Sequence, residues 1–129
     1  HEIYIGNCID VMDKKILVVE DSESDRYLIK YLFEYGCPEV KITFKDTCLK
    51  AINTLGIEHF DFVLSDFRLG MIDAHPLLNI LKNMNIEFAV FSGSDESEVR
   101  KELQDMKNLK FWSKGQINKI PQLVMEEIA

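Results

Sequence analysis

The sequence predicts an α/β fold in which helices cover both faces of a parallel, doubly wound five-stranded sheet. Apolar runs typical of strands alternate five times with amphipathic segments, which is the pattern of strands joined by crossover helices. Three of the runs lead to carboxylates or a hydroxyl: Glu20 and Asp21 follow the first, Asp66 follows the third, and Ser92 ends the fourth. Since the carboxyl ends of parallel strands line one crevice, these side chains are expected to meet there.

Length and composition fit one globular domain. The chain has 129 residues, of which 47% are hydrophobic and 29% are charged, and these values are ordinary for a protein with one core. A net charge of -7 argues against direct nucleic-acid binding, which needs a basic face. No apolar stretch is long enough to cross a membrane, and residues 1–13 lack the pattern of a signal peptide.

The cysteines favour a reducing, cytoplasmic environment. Cys8, Cys37 and Cys48 are odd in number and have no CxxC spacing, so the three thiols cannot all pair within one chain. We therefore expect reduced cysteines, with Cys37 and Cys48 serving as small packing residues.

The strand patterns predict the order of the sheet. The first strand, 16–19, is a continuous apolar run, as expected for a strand that is covered on both faces. The second, 39–45, alternates apolar and polar residues, and the fifth, 109–112, does so more weakly, so both are expected at sheet edges. The third and fourth strands, 62–65 and 88–91, are then central. This arrangement favours the flavodoxin-like strand order 2-1-3-4-5.

Each strand is followed by a predicted helix. Ser22 and Asp25 form an S-x-x-D capping box at the start of the first helix, and Gly36 is expected to stop that helix. Ser94 is expected to cap the fourth helix and Asn118 the fifth. The apolar stripes expected to face the sheet are Leu28, Leu32 and Tyr35 in the first helix, Cys48, Ala51, Ile52 and Leu55 in the second, Leu77, Leu78, Leu81 and Met84 in the third, and Val99, Leu103 and Met106 in the fourth.

From Lys14 to Ala129 the chain resembles the receiver domain of two-component response regulators. The residues that carry the resemblance follow the strands in the order of that family, each in register with its own strand. These residues are Glu20, Asp21, Asp66, Ser92, Phe111 and Lys114. Residues 1–13 lie outside the resemblance as an N-terminal extension or linker, and Met12 is a candidate natural start.

The resemblance implies a site that places a phosphoryl group on an aspartate with the help of Mg²⁺ or Mn²⁺. Asp66 would be the phosphoacceptor and a direct metal ligand, as would Asp21. The backbone carbonyl of Arg68 would complete the protein ligands, whereas Glu20 would act mainly through water. Mg²⁺ prefers hard oxygen ligands of this kind. Lys114 would neutralise charge on the transferring group.

The resemblance also implies a switch and partners. Ser92 would donate its hydroxyl to a phosphoryl oxygen, and its movement together with Phe111 would change the surface of the fourth helix, fifth strand and fifth helix. The donor would be a histidine kinase or a phosphotransfer protein, and the output a downstream effector or a fused domain, with a homodimer also compatible. Such a receiver catalyses its own phosphorylation and dephosphorylation, turns over no separate substrate, and works in the cytoplasm.

Departures from the family's pattern bear on the site. Gly115 follows Lys114 where the family has proline, so the family's cis peptide is not expected and Lys114 is expected to be less rigidly aimed. Gly70 and Ala74 stand where the family has proline and glycine. The segment between the third and fourth strands is also short, which puts the third helix or its loops in question. No charge is lost from the site, so a working receiver with altered kinetics is expected.

Other interpretations stay open. Taken alone, Glu20 and Asp21 are consistent with charges that favour the dipole of the first helix. Asp66 is equally consistent with a turn, and Lys114 with a solvated loop, so only their joint register favours a site. For the whole chain the alternatives are a pseudo-receiver that acts as a phosphorylation-independent interaction module, and a Mg²⁺-dependent phosphatase. The phosphatase is disfavoured because Arg68 occupies the position where that chemistry needs a second carboxylate.

Overall fold

The computed structural model describes residues 12–129, and its five-stranded parallel sheet has the predicted order. The strands of this sheet are β1 (Lys15–Val19), β2 (Lys41–Lys45), β3 (Phe62–Ser65), β6 (Phe88–Ser92) and β7 (Phe111–Ser113). They lie in the order β2-β1-β3-β6-β7. This is the predicted order 2-1-3-4-5, because β4 (Arg68–Leu69) and β5 (Ile72–Asp73) form a separate antiparallel hairpin.

Helices connect the strands on both sides of the sheet. In the described part of the chain the α-helices are α1 (Glu23–Gly36), α2 (Cys48–Leu55), α3 (His75–Asn83), α4 (Glu96–Glu102) and α5 (Ile120–Ile128). A 3₁₀ helix, Lys114–Lys119, leads from β7 into α5. No helix within residues 12–129 has the length and apolar character needed to cross a membrane.

The sheet separates two apolar cores. Alternate residues of β1 face opposite sides: Leu17 and Val19 pack under α2, α3 and α4, whereas Ile16 and Val18 pack under α1 and α5. All four are at most 1% exposed, which confirms that the continuous apolar run is a central strand. The predicted stripe of α2 is buried in the first core, apart from a partly buried Ile52. The stripe predicted for the fourth helix is buried there too, but only Val99 lies in α4, since Leu103 and Met106 follow the end of that helix.

β2 and β7 form the two edges, as predicted, but both are shorter than their sequence patterns indicate. β2 begins at Lys41 rather than at residue 39, because the chain before it turns, with the Val40 N–H donating to the Cys37 carbonyl at 3.3 Å. β7 begins at Phe111 rather than at residue 109, and Leu109 packs into the first core instead.

The first helix buries a different stripe from the one predicted. Ser22 does cap it, since its Oγ accepts a hydrogen bond from the Asp25 N–H at 3.3 Å. However, Leu28 is 37% and Tyr35 54% exposed. The residues that face the sheet are Ile29, Leu32, Phe33 and Gly36. This is the i, i+3, i+4, i+7 pattern shifted by one residue, and the prediction failed because apolar and aromatic side chains lie on more than one side of this helix.

The predicted caps of the fourth and fifth helices are wrong. Asp95 rather than Ser94 caps α4, because its carboxylate accepts the Ser97 N–H at 2.8 Å. Asn118 lies inside the 3₁₀ helix, and α5 begins after Lys119 with no side-chain cap. The preceding 3₁₀ turn takes the place of a capping side chain at α5.

The short segment between the third and fourth strands of the sheet still contains a helix, α3. Leu77, Leu78 and Leu81 are fully buried as predicted, whereas Met84 lies beyond the end of the helix and is 47% exposed. Gly70 has a φ of +74° and occupies the first central position of the β4–β5 turn, where glycine is favoured. The hairpin therefore explains the glycine at that position.

One cysteine prediction needs correction. Cys37 is disulfide-bonded, whereas Cys48 is a free, buried thiol. Three cysteines cannot all pair within one chain, but two of them can, so the prediction of a reduced thiol was wrong for Cys37. Cys8 lies outside the described residues, as does nearly all of the predicted extension 1–13, so the extension stays a prediction. No cis peptide bond occurs within residues 12–129, as Gly115 led us to expect.

Candidate functional site

The carboxyl ends of the sheet strands bring the predicted polar residues to one edge. Glu20 and Asp21 follow β1, Asp66 follows β3, Ser92 ends β6, and Lys114 follows β7. Residues separated by more than ninety positions in the sequence therefore share one crevice, as the parallel arrangement predicts.

Three carboxylates approach a common point in this crevice. One oxygen from each of Glu20, Asp21 and Asp66 lies within 4.8 Å of the other two. The register of the sheet is responsible, because Val19 pairs with Ser65 at the ends of β1 and β3. Glu20 and Asp66 are 1% and 7% exposed, whereas Asp21 is open to solvent.

Lys114 supplies the positive charge of the site. Its Nζ lies 2.7 Å from Asp25 Oδ2, 2.8 Å from Glu20 Oε1 and 2.9 Å from Asp66 Oδ2. Burial disfavours the charged amine, but the close contacts with the carboxylates of Asp25, Glu20 and Asp66 outweigh burial and raise the pKa of Lys114. The amine is thus held by three carboxylates, a restraint that the sequence patterns did not indicate.

Asp25 is the carboxylate beside Lys114 that the sequence interpretation missed. It was assigned only to the cap of the first helix, and there its backbone N–H does contact Ser22. Its carboxylate instead points to Lys114. The available signal was its place in the first turn of α1, directly after the acidic end of β1.

Glu20 is a buried carboxylate with an incompletely satisfied oxygen. Oε2 accepts the Ser22 N–H at 3.1 Å. Oε1 lies 2.8 Å from Lys114 Nζ, but among the described residues no well-directed hydrogen bond reaches it, so this contact is an ion pair. Burial, opposed by the contact with Lys114 and reinforced by the negative Asp66, raises the pKa of Glu20 to about 7.

These donors suit a divalent cation. Oxygen ligands from carboxylates are the kind that Mg²⁺ and Mn²⁺ prefer. Within residues 12–129 neither a hydrogen bond nor an ion pair engages the side chain of Asp21, which leaves it able to bind a cation. A buried oxygen without a directed donor, such as Glu20 Oε1, is otherwise costly. The cluster therefore fits a cation held by Glu20, Asp21 and Asp66.

Ser92 and Phe111 lie on the two strands for which they were predicted, Ser92 at the end of β6 and Phe111 at the start of β7. Ser92 is 1% exposed, and its Oγ accepts the Ser94 N–H at 3.1 Å. Phe111 is half-buried at the sheet edge and packs against the first core. The proposed switch roles of both residues remain predictions.

The side chain of Arg68 points toward α4, while its backbone N–H lies beside Asp66. Its N–H donates to Asp66 Oδ1 over a long 3.4 Å. Its guanidinium binds Glu102 with a shortest distance of 2.8 Å and lies 4.6 Å from the centre of the Phe67 ring. The side chain therefore adds no acid-base group to the carboxylate cluster.

The fold around this site is that of response-regulator receiver domains. The phosphorylated cyanobacterial phytochrome response regulator RcpA has a TM-score of 0.78 and 21% identity, over 90% of this chain and 94% of that one. The receiver domain of the Francisella response regulator 1452 has a TM-score of 0.74 and 22% identity, over 90% of this chain and 97% of that one. The Mn(2+)-bound form of response regulator Rcp1 has a TM-score of 0.71 and 21% identity, over 88% of this chain and 92% of that one. No family model and no curated protein matches the sequence.

Proposed function

We propose that the chain is a response-regulator receiver domain that accepts a phosphoryl group on Asp66 and changes a protein-binding surface in response. The observation that carries the proposal is the meeting of an acidic trio and a charged amine at the carboxyl edge of the sheet. Lys114 Nζ lies 2.9 Å from Asp66 Oδ2, beside the oxygens of Glu20 and Asp21. A structural role alone does not call for such an excess of carboxylates.

Asp66 is the nucleophile in this proposal. Its Oδ2 contacts Lys114, while Oδ1 receives only the long hydrogen bond from the Arg68 N–H. In transfer from a phosphohistidine, an Asp66 oxygen forms a bond to phosphorus as the P–N bond of the donor breaks. The donor imidazole keeps the electron pair and takes up a proton. Lys114 stabilises the charge on the transferring oxygens.

Asp21 and Asp66, with the backbone carbonyl of Arg68, would hold Mg²⁺ or Mn²⁺ directly, and Glu20 would act mainly through water. When bound, the cation would offset the negative charge of the phosphoryl oxygens. Ser92 would orient the group once it has arrived. Its oxygen accepts the Ser94 N–H, so its own hydrogen is available for donation to a phosphoryl oxygen.

The output would be a change on the side formed by α4, β7 and α5. A shift of Ser92 toward the phosphoryl group would make room for Phe111, which now packs at the edge of the first core. We propose a histidine kinase or phosphotransfer protein as donor, and a downstream effector or fused domain as target, in the cytoplasm and without direct nucleic-acid binding. The receiver would catalyse its own modification rather than turn over a separate substrate.

Intact-mass analysis after incubation with a small phosphodonor and Mg²⁺ tests the acceptor. The wild type should gain one phosphoryl group and Asp66→Asn none. Asp61→Asn is the matched control, because Asp61 stands at the other end of β3 and should not affect the reaction. Phosphate on the Asp66 variant would refute the assignment. No modification of the wild type would favour the pseudo-receiver, and rapid turnover of a phosphomonoester would favour the phosphatase.

Amide exchange with and without beryllofluoride tests the switch. Binding of this phosphoryl mimic should change exchange across α4 and β7, because the contacts of Ser92 and Phe111 differ between the two states. If residues 94–112 exchange equally while the mimic occupies Asp66, the proposed surface is wrong.

A further inference from the structure

We infer that Asp25 is a positioning residue that holds the Lys114 amine from helix α1 during phosphoryl transfer, an inference that rests on the proposed function of the site. The Asp25 Oδ2–Lys114 Nζ distance is 2.7 Å, the shortest of the three contacts that the amine makes with carboxylates. The two side chains are 28% and 23% exposed, so the pair is partly shielded from water and less screened than a surface ion pair.

The backbone at Lys114 is ordered, but it fixes only the point from which the side chain starts. Lys114 and Gly115 open the 3₁₀ helix, and the Gly115 N–H donates to Ser113 Oγ at 3.1 Å. The lysine side chain adds a flexible four-carbon stem. Side-chain contacts must therefore determine where the charge lies.

Asp25 is the contact that stays available throughout the proposed reaction. Asp66 loses a negative oxygen when the acyl phosphate forms, and Glu20 belongs to the cation cluster. Asp25 lies outside that cluster. It can thus keep the amine close to the incoming phosphoryl group both before and after transfer.

The position of Asp25 is set by the start of α1. Ser22 caps this helix, and the Arg26 Nη1 donates to the Glu20 carbonyl at 2.7 Å, which ties the first turn to the end of β1. Asp25 uses only its backbone N–H in the cap. The substitution Asp25→Asn therefore keeps the helix start and removes the charge that faces Lys114.

The kinetic test compares Asp25→Asn with Glu23→Gln. Glu23 lies in the same first turn of α1 as Asp25, and within the described residues it makes no contact with Lys114. Glu23→Gln therefore removes an equal charge from the start of the same helix. With a small phosphodonor at saturating Mg²⁺, Asp25→Asn should lower the maximal rate of phosphorylation roughly fivefold, with the half-saturating donor concentration unchanged. Glu23→Gln should stay within about twofold of the wild type.

A double-mutant cycle shows whether Asp25 acts through Lys114. Adding Asp25→Asn to Lys114→Ala should cause no further loss, because the group that Asp25 positions is already gone. An equal loss in both backgrounds would overturn the inference, as would a rate for Asp25→Asn within about twofold of the wild type.

A measurement on the unmodified, metal-free protein separates this inference from the proposed function. Side-chain relaxation of the Lys114 ε-methylene by NMR should show increased mobility in Asp25→Asn but not in Glu23→Gln. Unchanged mobility would overturn the anchoring role whether or not the protein takes a phosphoryl group. Increased mobility in a protein that is never phosphorylated would support the anchor and refute the proposed function.

Discussion

The two ends of the parallel sheet treat charged side chains differently. At the amino end, Lys15 meets Glu58 at 2.7 Å, and both side chains are about one-third exposed, at 35% and 34%. At the carboxyl end, Lys114 contacts Glu20 and Asp66, whose side chains are only 1% and 8% exposed, and Asp25 as well. One end has a balanced surface pair, whereas the other has several carboxylates around one amine.

The two arrangements contribute differently to stability because solvent screens one of them more than the other. Solvent screens the exposed pair, so it contributes little to stability and can be lost cheaply. In the crevice, the nearly buried carboxylates repel one another at low dielectric, and within residues 12–129 Lys114 is the cation that contacts them. An excess of buried negative charge weakens folding, and such local conflicts are expected where a ligand must bind. The carboxyl end of the sheet is therefore where we propose that a cation and a phosphoryl group bind.

Replacing Lys114 and Lys15 in turn by methionine should give the largest difference in the free energy of unfolding between the two ends of the sheet. Lys114→Met leaves Glu20 and Asp66 without a counter-charge and should lower the free energy of unfolding by about 2 kcal/mol, less than for a fully buried pair because Lys114 is partly exposed. Lys15→Met should cost about 0.5 kcal/mol or less. Urea unfolding in the presence of a chelator measures both. Equal losses would show that the crevice charges are screened as well as the surface pair.

The second largest expected effect is the stabilisation by a bound cation, which should depend on residues at the carboxyl end of the sheet and not on those at the amino end. Mg²⁺ at about ten times its dissociation constant should raise the free energy of unfolding by about 1.4 kcal/mol. Asp21→Asn should remove most of this gain, and Glu20→Gln less, since Asp21 is proposed as a direct ligand and Glu20 acts through water. Asp61→Asn, at the amino end, should keep it.

Thermal unfolding over a series of Mg²⁺ concentrations measures these shifts. The division of roles between the two neighbouring carboxylates fails if Asp21→Asn and Glu20→Gln lose the same amount. The location of the site fails if Asp61→Asn loses the gain.

The smallest expected effect is on the pH dependence of stability without metal. The pKa of Glu20 is raised from 4.5 to about 7 in the folded protein, so the folded state binds this proton more tightly than the unfolded chain. Its contribution should therefore make the protein more stable as the pH falls from 7 toward 4.5. The lowered pKa values of Asp46, Asp95 and Asp105 act in the opposite direction, because their stabilising contributions are lost as the pH falls through 3.8, chiefly below this window.

The check is urea unfolding of the wild type and Glu20→Gln at pH 5 and pH 7.5 in chelator. The wild type should gain stability relative to the variant at the lower pH. A relative loss at pH 5 would mean that Glu20 remains ionised in the folded protein.

The features of the fold that depend on residues close together in the sequence were predicted well. The apolar run of β1 and the alternation of β2 indicated which strands are central and which lie at an edge. Errors arose where several local solutions compete. Ser94 and Asp95 both precede α4, and Asp95 is the cap because its carboxylate accepts the Ser97 N–H.

The α/β architecture and the polar residues at the strand ends could be predicted from the amino-acid sequence, because periodicity and strand ends are local properties of the chain. The strand order followed from the contrast between buried and alternating strands, whereas the sharing of charge in the crevice is visible only in the folded protein. The contact between Asp25 and Lys114 joins residues 89 positions apart, and the burial of Glu20 depends on every element packed around β1. Distances and desolvation arise from the whole fold, so no local pattern encodes them.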